Sequence, residues 1–266
     1  LNGNRTAVAF DALGMVVGTA VMGKPDESPR RGDLLDDGFK TDLTEREVSD
    51  FLQQPLQNPH RLLSRATSRF VYDLHAYCRT KNDAAPQPAV ACTLHRETHD
   101  ADLPDGRQSE VRIDFTYSDG FGREIQRKSL AEPGPVPKRD PPDGHILTGE
   151  DGLPEWIPHD GPRWVGSGWT IYNNKGLPVR QYEPFFTDTH RFEFDVRIGA
   201  SRILFYDPLG RRVGTLHPDH TWEKTVFDPW RQETWDASDT VLVANPAEDP
   251  DIGEFFRRLQ ADEYLP

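Results

Sequence analysis

The sequence is poor in cysteine, in long apolar runs and in positive charge, the features of disulfide-rich, membrane-spanning and nucleic-acid-binding proteins. It has only two cysteines in 266 residues, too few for the disulfide framework of a small secreted scaffold. No apolar run reaches the roughly 18 residues of a membrane-spanning helix, so membrane insertion by this segment is not expected. Lys and Arg number 31 against 44 Asp and Glu, a formal net charge of −13. Nucleic-acid binders usually carry a basic surface, so this charge argues against a nucleic-acid partner.

The first residues also lack a targeting signal. Leu1 to Asn4 contain no methionine, and no charged stretch followed by an apolar region comes after them, as a secretory signal would require. The sequence is therefore expected to be an internal piece of a longer chain, and its start does not indicate a compartment.

Turn-forming and aromatic residues, in contrast, are plentiful. The chain has 23 Pro and 21 Gly, and 10% of its residues are aromatic, which favours a folded protein with many turns over a disordered one. Apolar and polar residues alternate along "RFVYDLHAYC" (69–78), "AVACTL" (89–94), "VRIDFTY" (111–117) and "RFEFDVRIG" (191–199). This period of two is typical of half-buried antiparallel strands. The predicted fold class is mainly β, with antiparallel hairpins forming an extended sheet and a few short helices.

Three short segments carry helix signals. They are "TEREVSDFLQQ", "NPHRLLSRAT" and "DPDIGEFFRRL". The first opens with a capping box between Thr44 and Glu47. The second has Pro59 in its first turn, and the third begins at Asp249 and Pro250. We interpret all three as packing elements.

A segment rich in Pro and Gly, 131–163, divides the chain. Its composition disfavours a regular hydrogen-bond ladder and indicates a long loop or linker. We therefore predict a β-sheet segment over 1–130, with a helical insertion at about 41–66. A second β-sheet segment is predicted over 164–266, with a short helix near its C-terminal end.

Cys78 and Cys92 lie in alternating segments on either side of the turn-forming residues 81–88. Both share the parity of the neighbouring apolar residues. Unpaired cysteine packs as a small hydrophobe, so we predict two buried, reduced thiols on the same face of one hairpin.

One short pattern recurs along the chain: an Asp or Asn precedes a Gly by three positions and follows an aromatic residue, directly in three copies and with the aromatic Tyr117 displaced by one in the fourth. The copies are "FDALG" (10–14), "YSDGFG" (117–122), "YNNKG" (172–176) and "YDPLG" (206–210). In a type I turn the Asp or Asn bonds back to the backbone, and a following Gly supplies a positive φ. Such loops join antiparallel strands through a bulge. We predict hairpin turns with positive φ at Gly14, Gly122, Gly176 and Gly210, and stacking of the repeats into one continuous sheet.

The histidines are the only plausible metal ligands or acid–base groups in the sequence. "TLHRETHDAD" contains His95 and His99, and "HPDH" contains His217 and His220. Metal ligation needs three or four converging ligands, and the chain has no HExxH or CxxC motif. A metal-dependent hydrolase built on these pairs is therefore an alternative and not the favoured interpretation. No nucleophile elbow, P-loop or dinucleotide motif occurs, and no catalytic, cofactor-binding or metal residue is assigned.

Trp222, Trp230 and Trp235 leave open an alternative of another class. Exposed aromatic rings on a β surface can stack on sugars, which would make the chain a carbohydrate-binding β module. Packing between neighbouring repeats is the favoured explanation of these rings.

Several stretches resemble the Rhs/YD-repeat family. More narrowly, they resemble the middle to C-terminal part of the B component of bacterial insecticidal toxin complexes (Tc, or ABC, toxins). These stretches are "FDALGMVVGTAVMGKP", "YSDGFGREIQRK", "PRWVGSGWTIYNNKGLPVRQYEPFFTDTHRFEFDV" and "YDPLGRRVGTLHPDHTWEKTVFDPWRQETWD". The resemblance is strongest over 1–24, 109–134 and 163–266.

This resemblance implies a structural role in virulence without a catalytic centre or cofactor. In that family the B component and its C partner build a hollow β-sheet shell around a cytotoxic C-terminal region of the C component. The B component docks on a pore-forming A component for translocation. The chain is therefore expected to be a curved part of such a shell, with the C and A components as partners through the full-length protein. The expected location is extracellular, in a secreted toxin complex.

Overall fold

The computed structural model describes residues 3–36, 38–140, 144–150, 153–243 and 245–259. The chain forms two compact units that are interleaved along the sequence. The first unit comprises Leu1–Gly134, His159–Gly166 and Thr187–Phe192, and the second comprises Pro135–Pro158, Ser167–Phe186 and Glu193–Pro266. The division predicted from the Pro- and Gly-rich segment 131–163 stays a prediction.

Strands account for most of the regular structure in the described residues. They are β1 (Arg5–Phe10), β2 (Val16–Met22), β3 (Ser68–Asp73), β4 (Ala89–Arg96), β5 (Val111–Ser118), β6 (Glu124–Ala131), β7 (Val136–Pro137), β8 (Trp156–Ile157), β9 (Arg163–Gly166), β10 (Thr170–Tyr172), β11 (Pro178–Gln181), β12 (Phe185–Thr187), β13 (Arg202–Tyr206), β14 (Arg212–Leu216), β15 (Trp222–Phe227) and β16 (Gln232–Trp235).

The helices are all short. They are α1 (Glu45–Gln53), α2 (Pro59–Leu63), α3 (Ala76–Thr80), α4 (Ala237–Thr240) and α5 (Gly253–Arg257), with 3-10 turns at Asp100–Asp102 and Pro246–Glu248. Within the described residues, none of them has the length and apolar character needed to cross a bilayer.

Two larger sheets organise these strands. One has the order β1-β2-β3-β4-β5-β6-β9-β12 and the other β10-β11-β13-β14-β15-β16, while β7 and β8 form a separate pair. Neighbouring strands pair antiparallel, as in the eight-residue register between β4 and β5. The predicted mainly β fold of antiparallel hairpins with a few short helices is confirmed. The predicted stacking of the repeats into one continuous sheet is wrong for the described residues, because the β1–β2 and β5–β6 hairpins lie in one sheet and the β10–β11 and β13–β14 hairpins lie in the other.

The core of the first unit follows from the alternation in β4 and β5. Cys92 pairs with Phe115 and Leu94 pairs with Ile113 across the ladder, and all four side chains are buried. Helices α1 and α2 pack near β3 and contribute to the same core. The capping box of α1, with the Glu47 amide bonded to the Thr44 hydroxyl, is present as predicted, and α2 starts at Pro59.

The second unit has a smaller core on one face of its sheet. The ring centroids of Phe205 in β13 and Trp222 in β15 lie 4.8 and 5.7 Å from the ring centroid of Phe256 in α5. Helix α5 starts at Gly253, later than predicted, because the Asp249 side chain caps the amides of Asp251 and Ile252 in a turn that precedes the helix.

The strand predicted over 191–199 is wrong. No strand forms in these residues, all of which lie in the described part of the chain. Asp195 has a φ of 55°, which interrupts an extended backbone and which Asp tolerates better than most residues. Phe194, one of the apolar residues of the predicted alternation, is 75% exposed.

The prediction for the cysteines is wrong for Cys78. Strand β3 ends at Asp73, and Cys78 lies in α3 with an exposed side chain, whereas Cys92 is buried on β4. The apolar alternation of "RFVYDLHAYC" therefore continues past the residue at which the strand ends. The two thiols are free and do not share a hairpin face.

Candidate functional site: the hairpin turns

The recurring Asp/Asn–Gly pattern forms hairpin turns at all four predicted places. Gly14, Gly122, Gly176 and Gly210 have φ angles of 78°, 76°, 77° and 84°. They follow the ends of β1, β5, β10 and β13, and each ladder shifts register next to its turn. This is the geometry expected of a type I turn followed by a bulge, and the prediction for these glycines is confirmed.

The side chain of the first turn residue holds each loop together. In the turn at Asp207, Oδ1 accepts hydrogen bonds of 2.9 Å from the amides of both Leu209 and Arg211. The Asp207 amide donates to the Arg211 carbonyl, and the Gly210 amide donates to the Asp207 carbonyl, both at 3.0 Å. The same four bonds recur in the turns that begin at Asp11, Asp119 and Asn173. The repeated Asp or Asn therefore has a structural role.

Two of the turns add an ion pair. Nε of Arg211 lies 2.7 Å from Oδ2 of Asp207, and Nε of Arg123 lies 2.7 Å from Oδ2 of Asp119. Desolvation alone would raise the pKa of Asp119 and Asp207. The hydrogen bonds from the turn amides and the arginine outweigh it, so both pKa values lie below their ordinary range.

The "HPDH" stretch is a further hairpin turn, between β14 and β15. The His217 amide donates to the Thr221 carbonyl at 2.8 Å, and the His220 amide donates to the His217 carbonyl at 3.0 Å. His220 has a φ of 67° and so occupies the place that glycine takes in the other turns. Sequence reasoning missed this turn because it searched for glycine, although Pro218 occupies the same turn position as Pro208.

The other two histidines have separate partners. Nδ1 of His95 lies 2.7 Å from the Ser68 hydroxyl, and Nδ1 of His99 lies 2.7 Å from Oδ2 of Asp33. Within the described residues, no three His, Cys, Asp or Glu side chains lie close enough together to hold a metal ion.

Asp33 is a buried carboxylate that sequence reasoning did not identify. Its side chain is fully buried and accepts hydrogen bonds from the Thr67 hydroxyl and, at 2.7 Å, from the Asp100 amide. Nε of the buried Arg96 lies 3.5 Å away. These contacts connect the loop before α1 to the end of the sheet. The charged sequence around Asp33 does not indicate these long-range contacts.

The three tryptophans considered as sugar platforms have different environments. Trp222 is buried in the core of the second unit, at 4% exposed. Trp235 is partly exposed, with Nζ of Lys224 at 4.8 Å from its ring centroid. Trp230 is 94% exposed, at the tip of the β15–β16 turn. A row of three open rings is therefore not formed by these residues.

Comparison with known proteins identifies structural relatives only. No protein-family model and no curated protein matches the chain. The crystal structure of TcdB2-TccC3 superposes on 92% of the chain with a TM-score of 0.61 and 24% identity. The same complex without its hypervariable C-terminal region superposes on 94%, with a TM-score of 0.63 and 20% identity. The Photorhabdus luminescens Tc holotoxin pore superposes on 94%, with a TM-score of 0.64 and 19% identity.

This chain spans only 11% of the matched chain in the first structure and 13% in the other two. Its fold is therefore similar to that of one part of these much longer toxin-complex chains.

Proposed function

We propose that this chain is a structural segment of a Tc-toxin-like B component and contributes to the β-sheet shell that encloses and helps deliver a cytotoxic cargo. The observation that carries the proposal is the fold similarity to TcdB2-TccC3 over 92% of the chain. At 24% identity this similarity concerns the fold, and the turn motifs supply an independent reason to connect the chain with Rhs/YD repeats.

The physical basis of the proposal is the hairpin repeat. Each turn is closed by bonds within five consecutive residues, so each hairpin can add two strands to a sheet whatever the length of the array. An exposed sheet edge tends to pair with other chains unless it is covered or continued. A shell wall made by continuing the sheet into neighbouring repeats meets this requirement.

The remaining parts of the proposal follow the same assignment. The partners would be a C component with its enclosed toxic region and a pore-forming A component, both engaged through a longer protein. The assembled complex would be secreted and would act outside the bacterial cell as an insecticidal virulence factor. The chain itself would have no catalytic centre. This is supported by the different partners of His95 and His99 and by the place of His217 and His220 in a hairpin turn.

Protease protection tests the proposed enclosure. The longer protein that carries this sequence would be purified with its TccC3-like partner and treated with protease. We expect the hypervariable C-terminal region of the partner to survive in the complex and to be digested when the partner is alone. A matched complex disrupted by denaturant before digestion provides the control for intrinsic protease resistance.

Equal digestion in the complex and in the free partner would contradict enclosure. Failure of the two proteins to associate at all would contradict the assignment to a B component. Sugar binding by the isolated chain that is lost in Trp230→Ala would instead support the carbohydrate-binding alternative.

A further inference from the structure

The first unit contains a groove of about 520 Å³ at one end of its sheet. The end of the β1–β2 hairpin, the end of β3, the start of α1 and part of α3 surround it. Val17, Val48 and Val71 are among the apolar residues that line it. The groove thus combines a sizeable volume with an apolar lining, as ligand sites commonly do.

Two exposed leucines extend this apolar lining to solvent. Leu13 is 77% exposed and Leu74 is 49% exposed, and both line the groove. The turn at Asp11 requires its Asp and Gly14 but places no demand for an apolar side chain at Leu13. Large apolar side chains that are exposed beside a concave surface indicate an interaction site.

The charged residues of the groove favour a cationic ligand. Arg79 is shared between Asp73 and Glu45, the latter at 3.4 Å. In the part of the chain that the structure describes, Asp11 and Asp42 take part in no ion pair, although both line the groove. These two carboxylates leave local negative charge for a cation to meet.

The arginine in the groove wall offsets only part of this charge, since its attraction is the last of the causes that lower the pKa of Asp42. Arg69 is only 1% exposed. It donates to the Lys40 carbonyl oxygen, and its guanidinium carbon lies 4.7 Å from the Phe39 ring centroid. Its guanidinium is therefore held inside the first unit, where it acts on Asp42 from a buried position.

We propose that this groove binds a basic amphipathic peptide segment, in which apolar side chains alternate with Lys or Arg. The apolar side chains would enter between Val17, Val48 and Leu74, and a basic side chain would meet Asp11 and Asp42. The net charge of −13 would also speed the encounter with a cationic partner. This inference does not depend on the proposed shell function.

Cys78 supplies a direct reporter of occupancy. It lines the groove and is exposed, while Cys92 is buried in the core. A short synthetic peptide of alternating Leu and Lys would be added to the chain, and the rate at which iodoacetamide modifies Cys78 would be measured. We expect saturable protection of Cys78 by this peptide. A Leu/Glu peptide and a Ser/Lys peptide of equal length should protect it only at about tenfold higher concentration or not at all.

Isosteric variants test the contribution of the carboxylate charge to binding while the hydrogen bonds of the fold are kept. In Asp11→Asn/Asp42→Asn the new amide oxygen at position 11 can keep the turn bonds, as Asn173 does natively. The one at position 42 can keep the bond from the Ala12 amide, but both charges are lost. We expect about tenfold weaker protection, with an unchanged melting temperature. Leu74→Ser should weaken protection similarly. The control variants Asp207→Asn and Leu209→Ser change the turn residues of the second unit that correspond to Asp11 and Leu13, and they should leave protection unaltered.

Three results would overturn the proposal. The first is an absence of saturable protection by the Leu/Lys peptide. The second is equal protection by the Ser/Lys peptide, which would indicate charge attraction alone. The third is equal loss of protection in Asp207→Asn, which would place binding elsewhere. None of these results bears on enclosure of a toxic region, which the protease experiment tests separately.

Discussion

The hydroxyl of Tyr206 donates a hydrogen bond to the carbonyl oxygen of Pro178, 2.9 Å away. Pro178 is the first residue of β11 and lies two positions after the turn residue Gly176. In the first unit, the hydroxyl of Tyr72 donates to the carbonyl oxygen of Val16 at 2.8 Å, and Val16 begins β2 two positions after Gly14. Each tyrosine stands directly before an Asp. Tyr206 of the motif, and Tyr72 outside it, therefore each tie their strand to the hairpin next to it in the sheet.

Removing the hydroxyl of Tyr206 should lower the stability of the second unit. We expect Tyr206→Phe to lower the free energy of unfolding by about 1 kcal/mol, because the Pro178 carbonyl loses a donor while the ring packing is kept. Tyr77→Phe is the control, since Tyr77 is 57% exposed. Urea unfolding monitored by circular dichroism measures both. Equal stability of the two variants would show that the contact contributes nothing.

The turn glycines should be sensitive to a single methyl group. An added Cβ at Gly122 meets no atom within 4 Å, and the same holds for Gly120 in the same turn. Only Gly122 has a positive φ, 76°, a region that costs L-residues about 1 to 2 kcal/mol. We therefore expect Gly122→Ala to destabilise by about this amount and Gly120→Ala to be neutral or slightly stabilising.

Thermal and urea unfolding of the two glycine variants provide the comparison. If Gly122→Ala were as stable as Gly120→Ala, the positive φ would not be a requirement of the repeat.

These turns could be predicted from the sequence because their determinants are local. The bonds of Asp207 reach no further than Arg211, so a five-residue pattern contains the whole constraint. The β5 strand could be predicted for the same reason, since its alternation directly gives its buried face. The long-range features could not be predicted in this way. Asp33 is held by Thr67 and His99, which are close only after folding, and the groove depends on four separate segments.

Two errors have a common physical origin. The alternation of "RFEFDVRIG" and the second half of "RFVYDLHAYC" satisfies a strand pattern, but neither forms a ladder in the described structure. An apolar–polar alternation with a period of two is compatible with a strand. A strand forms, however, only where a neighbouring strand pairs with it in register. His220 shows the reverse case, because a non-glycine residue takes a positive φ where the turn demands it.

The buried ion pair of the second unit should make stability depend on acid. Nζ of Lys224 lies 2.8 Å from Oδ2 of Asp249 and 2.6 Å from Oδ2 of Asp251. Desolvation acts to raise the pKa of Asp249, but the bonds from Lys224 and from the amides of Ile252 and Asp251 outweigh it and lower the pKa below 3.8. The stability that this carboxylate contributes is therefore fully present above about pH 4. It is lost as the pH falls through the lowered pKa.

Removal of the lysine tests this dependence. Lys224→Met leaves a buried carboxylate without its cation, and we expect a loss of about 3 kcal/mol at neutral pH. The difference from the native protein should shrink below about pH 4, as Asp249 becomes protonated. Lys81→Met, on the exposed segment after α3, is the control and should have little effect at any pH. A loss that does not vary with pH would contradict the coupling.

The two thiols should react at very different rates. Cys78 is exposed, whereas burial raises the pKa of Cys92 well above its usual range. Since the thiolate is the reactive form, we expect alkylation of one thiol in the native protein and of both after unfolding, without added reductant. Mass spectrometry of intact protein and of its peptides identifies the modified residue. A requirement for reductant would reveal a disulfide, and rapid native modification of Cys92 would contradict its burial.

Electron cryomicroscopy of the longer protein, together with its C-type partner, is the decisive test of the shell assignment. We expect a hollow particle in which residues 3–259 form part of the β-sheet wall. In that wall the turns at Gly14, Gly122, Gly176 and Gly210 would be retained, and neighbouring repeats would pair with the sheet edges. A compact, separate domain on a flexible tether, with no enclosed volume and with its sheet edges open to solvent, would contradict the account.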